Sequence, residues 1–148
     1  MAFWQYSFHA MPKNNIKQKY QTLPTKITDD DFNNLSWFNE FNYQNFIQSI
    51  DYLSPNTHWC KSTIFFGTYD SDSIEIGFDD SLVSYIYMRI DLRENHLLIL
   101  DKMLSSLALN QLMIIDNEMV ILEPLYEDIM KKIEIDIRHK NNFFKTTN

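Results

Sequence analysis

Three segments in the middle of the chain leave little choice of architecture. Residues 61–67 carry Ile64, Phe65 and Phe66. Residues 73–78 alternate Ile74, Ile76 and Phe78 with Glu75 and Gly77, and residues 83–92 alternate Ile86, Met88 and Ile90 with Tyr85, Tyr87, Arg89 and Asp91. A period of two sends successive side chains to opposite faces, the pattern of a strand with one face on a core. The connections, Tyr69-Asp70-Ser71-Asp72 and Asp79-Asp80-Ser81, are short and polar. Parallel neighbours need a crossover of about a dozen residues or more, so these three strands read as an antiparallel meander.

The flanks add helices and two further pieces of sheet. Residues 3–11 alternate as a strand that Pro12 ends, and 13–28 read as a connector with a short basic turn at 13–20. Thr28 followed by Asp29, Asp30 and Asp31 marks a helix start, because the first turn favours acids. Phe46, Ile47, Ile50 and Leu53 give 43–53 a helical stripe that Ser54-Pro55-Asn56 stops. The clearest helix is 94–109, with Leu97, Leu100, Leu104, Leu107 and Ala108 on one face. Residues 112–115 and 119–122, around Asp116-Asn117-Glu118, read as a hairpin. Pro124 then opens a last helix with Ile129, Ile133 and Ile137, before a polar tail at 138–148 expected to fray. The expectation is an α+β fold: an antiparallel sheet, meander plus short hairpin, packed with three to four helices in a single domain over 1–148.

Composition narrows the chemistry. Only Gly67 and Gly77 are glycines, so a phosphate-cradling loop, which needs several close backbone N–H groups, is excluded. The one cysteine, Cys60, allows no internal disulfide and points to a reducing compartment. No basic leader or long apolar run marks a signal or membrane segment, and the expected location is the cytoplasm. The net charge of −7 is segregated: between Asp29 and Asp136 there are 20 acids and 6 bases. Such a surface repels nucleic acid and either steers a basic partner toward itself or serves only to keep the protein soluble.

Candidate catalytic groups are weak. His58 and Cys60 lie two apart, a spacing that puts an imidazole beside a thiol on an extended segment, yet a free cysteine is usually a small buried hydrophobe. The four histidines, His9, His58, His96 and His139, lack the spacing of a metal helix. Asp70-Ser71-Asp72 opens like a calcium loop, but Ile74, Glu75 and Ser81 occupy the positions that need a ligand, a glycine and a bidentate acid. The reading is therefore no catalytic residues, no metal and no cofactor. What stands out is aromatic content of 15% beside the acids. Tyr85, Tyr87 and Arg89 share a strand face opposite Ile86, Met88 and Ile90. They form either core or a contact surface of the kind rich in Tyr and Arg.

The order of several segments is also familiar. The chain opens Phe3-Trp4-Gln5-Tyr6-Ser7-Phe8-His9-Ala10-Met11-Pro12-Lys13, and Trp59-Cys60-Lys61 leads into Gly67. Asp72-Ser73-Ile74-Glu75-Ile76 and Arg89-Ile90-Asp91-Leu92-Arg93 follow, then a helix and an Asp116-Asn117 hairpin closing on Glu123-Pro124. Over residues 3–137 this resembles small bacterial immunity proteins found beside polymorphic or contact-dependent growth inhibition toxins. The resemblance implies a binding protein without an active site, whose partner is a cognate toxin, in many cases a basic nuclease, encoded adjacently. The residues expected to meet it are Asp70, Asp72, Glu75, Asp79, Asp80, Tyr85, Tyr87 and Arg89. The alternative is a small-molecule- or peptide-binding regulatory domain, whose mark would be a lined pocket.

Overall fold

The computed structural model describes residues 3–93 and 95–147, with side chains as far as residue 137. Among them the fold is α+β. β1 (Gln5–Pro12) is followed by α1 (Lys13–Tyr20), α2 (Asp29–Asn34) and α3 (Tyr43–Gln48). The short β2 (Pro55–Asn56) precedes the meander β3 (Thr63–Gly67), β4 (Ser73–Asp79) and β5 (Leu82–Asp91). α4 (Leu97–Leu109), the hairpin β6 (Leu112–Ile115) and β7 (Ile121–Leu122), and α5 (Tyr126–Thr147) follow in that order.

All seven strands form one antiparallel sheet in the order β2-β3-β4-β5-β1-β6-β7. The meander and the C-terminal hairpin are joined by β1, which pairs with β5 on one side and β6 on the other. The register puts Phe8 opposite Met88, Ile74 opposite Met88 and Phe66 opposite Ile74, so one sheet face is a continuous apolar layer. Onto the same core α4 and α5 bury Leu100, Met103, Leu107, Ile129 and Ile133, with Phe46 from α3. Full burial of a Leu, Ile, Phe or Met side group contributes roughly 1.5–3 kcal/mol against the entropy lost on ordering the backbone.

Local signals set most element boundaries. The Thr28 hydroxyl accepts the Asp31 N–H at 3.1 Å, and the Asn42 carboxamide accepts the N–H groups of Gln44 and Asn45, so both short helices are capped by a side chain. Gly67 sits at φ 88°, where any side chain would overlap the Asp72 carbonyl across the turn. Residues 13–20, read as a turn within a connector, are a helix instead. Pro12 stands directly ahead of its first turn, Ile16 is fully buried beneath it, and Lys17 and Lys19 sit in the last turn, where cations suit the helix dipole. The candidate helix 43–53 stops at Gln48. The helix expected from residue 94 begins at Leu97, with Asn95 and His96 outside it; Glu94 itself lies outside the described residues. The backbone of α5 continues as helix through the expected tail to Thr147.

Candidate functional site

The second sheet face differs from the apolar one. It carries Gln5, Ser7 and His9 from β1, Asp91, Arg89, Tyr87 and Tyr85 from β5, Ser73, Glu75 and Gly77 from β4, and Phe65 from β3. Two segments cover it in part. Phe32 of α2 meets His9 edge-on, with ring centres 5.0 Å apart, and His9 in turn lies 4.8 Å from Tyr87. At the other end the segment 57–60 and the 68–72 turn fold over Phe65 and Arg89. Between them Tyr85 and Tyr87 remain half-buried.

Arg89 organises this face. Its Nε donates to Ser73 Oγ at 2.8 Å and its terminal nitrogen to Glu75 Oε1 at 2.8 Å, while the guanidinium lies 5.7 Å from the ring centres of both Tyr69 and Tyr87. Glu75 and Arg89 lie on neighbouring strands of the meander, where an exposed ion pair would contribute little. Instead both side chains are nearly buried, which makes the pair a structural element whose loss of one partner is costly. Glu75 Oε1 also lies 3.7 Å from His58 Nε2. His58 Nδ1 accepts the Cys60 N–H at 2.9 Å, so the neutral ring carries its proton on Nε2, facing Glu75.

That arrangement takes the His58–Cys60 pair apart. One imidazole nitrogen is held by a backbone N–H and the other is turned to a carboxylate, while the Cys60 thiol shares a 3.1 Å hydrogen bond with Ser62 Oγ. The Ser62 hydroxyl holds the thiol pKa below its ordinary value, without an imidazole as its base. The His58 ring packs against Phe65 and Tyr69, which stack on each other with centres 4.5 Å apart, and the Tyr69 hydroxyl accepts the Trp59 N–H at 3.3 Å. The bend that results projects Trp59 outward with 84% of its surface in water, the most exposed of the large hydrophobic side chains described. Nothing in the sequence distinguished Trp59 from Trp37, which is buried in the core.

The residues expected at a contact surface fall into two groups. Asp72 Oδ1 accepts the Asp91 N–H at 2.7 Å, and Glu75 and Arg89 are taken up by their mutual pair, so these three serve the fold. Asp70, Asp79 and Asp80 are exposed. They do not form one patch: β4 runs between them, and six residues of strand separate the two turns by about 20 Å. Tyr85 and Tyr87 lie along the strip between. The Tyr85 ring lies directly over Gly77, in space that a Cβ there would fill. Burial pushes its phenol pKa upward.

The 68–72 turn is strapped down. Trp4 Nε1 donates to the Asp70 carbonyl at 3.0 Å, Gln5 Nε2 to the carbonyls of Tyr69 and Ser71, and Arg93 to the Asp70 carbonyl at 2.7 Å while lying 4.4 Å above the Trp4 ring. Asp91 accepts from Arg93 and Ser71, and the Arg93 hydrogen bond holds its carboxyl pKa below the ordinary range. The would-be calcium loop thus turns its oxygens to the protein's own donors. Among the described residues no three His, Cys, Asp or Glu side chains converge to hold a metal, and no helix is long and apolar enough to cross a membrane. Compared with family models, curated proteins and solved structures, the protein matches none of them.

Proposed function

We propose that this protein is an immunity protein that binds a cognate toxin and covers its active site with the polar sheet face. The observation that carries the reading is Trp59: a large aromatic side chain held out in water by a bend that His58, Tyr69 and Glu75 brace from below. A single exposed apolar side chain is ordinary on a monomer, but Trp59 stands beside the exposed Tyr69, and adjoining exposed aromatic surface is what a protein partner covers. Tyr69, Tyr85 and Tyr87 extend the aromatic centre, and Asp70 at one end with Asp79 and Asp80 at the other supply an acidic rim. An aromatic centre within a charged rim is the usual anatomy of a protein-binding surface, the centre supplying affinity and the rim supplying steering. The acidity fits a basic toxin, encoded by the adjoining gene and acting in the cytoplasm where this protein meets it.

The test is an affinity pull-down of the tagged protein from its source lysate at low salt and at about 1 M salt, where the Debye length contracts to about 3 Å. Recovery of one basic protein, the adjoining gene's product, with capture weakened by salt, is the expected result. An empty pull-down from a lysate shown to contain that product overturns the reading.

A further inference from the structure

On another side of the molecule, residues 14–18 of α1, 39–45 leading into α3, and 110–111 after α4 enclose a hollow of about 400 Å³, a size typical of ligand sites. Eight of its twelve lining residues are Asn or Gln. The whole protein has 20 carboxamides in 148 residues, so twelve residues drawn at that frequency would include fewer than two. A mutational bias toward Asn spreads carboxamides along a sequence. It does not gather them from three separate stretches into one cleft.

The carboxamides divide by role. Asn15 donates to the carbonyls of Trp37 and Asn39 at 2.7 and 2.9 Å, Asn42 caps α3, and Asn110 donates to the Ser106 carbonyl at 2.7 Å, so these three fix the walls. Gln18 and Asn45 are exposed with no side-chain hydrogen-bond partner among the described residues. Asn14 and Gln111 meet only at 3.5 Å, the outer limit of a hydrogen bond. Two residues of the lining, Glu40 and Gln111, have left-handed backbones at φ 62° and 55°, a conformation costing a non-glycine residue roughly 1–2 kcal/mol.

We propose that this hollow binds an extended, uncharged stretch of polypeptide through its backbone. A carboxamide is a peptide unit carried on a side group, with one carbonyl acceptor and an N–H donor set side by side, so it pairs with a backbone carbonyl and N–H together. Glu40 is the one formally charged residue in the lining; it repels an anion and, as a single exposed carboxylate screened by water, holds a cation only weakly. Phe41 is the one aromatic residue in the lining and is half-buried, so the hollow offers no open aromatic platform for stacking a sugar or a base. The proposal is independent of the toxin-binding reading, since it uses none of the same residues.

The experiment exposes the immobilised full-length protein to a randomised pool of acetylated, amidated hexapeptides of neutral residues, and then titrates the retained peptides by NMR. The expected result is saturable shifts of the Gln18, Asn45 and Gln111 side-chain amide signals. Affinity should fall at least tenfold when the peptide's backbone amides are N-methylated, and again in the Gln18→Ala/Asn45→Ala double variant at unchanged melting temperature. Both positions are exposed and outside the wall-fixing bonds, so folding is not at stake. The proposal is overturned by a pool from which nothing is retained, or by peptides that bind the double variant or their N-methylated forms equally well. Cellotetraose or chitotetraose shifting these signals where peptides do not would overturn it as well.

Discussion

His9 should make this protein acid-sensitive well above the range where carboxylates titrate. The ring lies between Phe32 and Tyr87, and burial pushes its pKa down to about 4 from the ordinary 6.5. The folded state therefore resists a proton that the unfolded state accepts, so the stability held by neutral His9 is fully present above about pH 6.5 and is lost as pH falls toward 4. Two proton-binding curves with those midpoints separate by about 2 kcal/mol between pH 7 and pH 5, an upper figure because the ring keeps partial access to water. For a protein of this length that corresponds to about 4–8 °C in melting temperature. The assay compares melting of the wild type and His9→Gln at pH 7, 6 and 5. Gln cannot titrate, and every other titratable group is common to both proteins, so the difference between the two slopes isolates His9. The wild type should lose several degrees more than the variant on acidification. Parallel slopes, or a His9 ring titrating near 6.5 by NMR, would refute the reasoning.

Other perturbations read the polar face directly. Arg89→Met removes the partner of a nearly buried carboxylate and should cost about 3–5 kcal/mol in chemical denaturation, whereas Glu75→Gln, which leaves a hydrogen-bond acceptor for Arg89, should cost less. Gly77→Ala places a methyl group where the Tyr85 ring lies, and should destabilise by about 1–3 kcal/mol while moving the Tyr85 ring signals in the NMR spectrum. Thr28→Ala removes the cap of α2 and should cost about 1 kcal/mol by the same denaturation assay.

The meander and its apolar face were legible because an alternation of Ile with polar residues has one solution when a core lies on one side, whereas the register shift between Gly77 and Phe78 was not. The capped start of α2 and the 112–122 hairpin were legible for similarly local reasons. Three further things were not. Residues 13–20 bury a single apolar side chain, Ile16, and a helix held by one buried residue and its end effects leaves no stripe to read. The place of β1 in the middle of the sheet depends on pairing with strands about 80 and 100 residues away, which no local pattern encodes. The division among the acids was hidden as well. Asp70 and Asp72 are neighbours in sequence, yet Asp72 turns its carboxylate to the Asp91 N–H while Asp70 stays exposed. Trp59 could be singled out only once the His58 and Tyr69 hydrogen bonds showed which way the bend faces.

Trp59 is also where toxin binding is tested most directly. It packs against little of the protein, so Trp59→Ala should leave stability within about 0.5 kcal/mol of the wild type. Calorimetric titration of both forms with the purified product of the adjoining gene then measures the claim itself. Tight binding by the wild type is predicted, with a loss of at least thirtyfold in the variant, the 2 kcal/mol or more expected of a central aromatic anchor. Binding of equal strength by the two forms, or none by either, would contradict it.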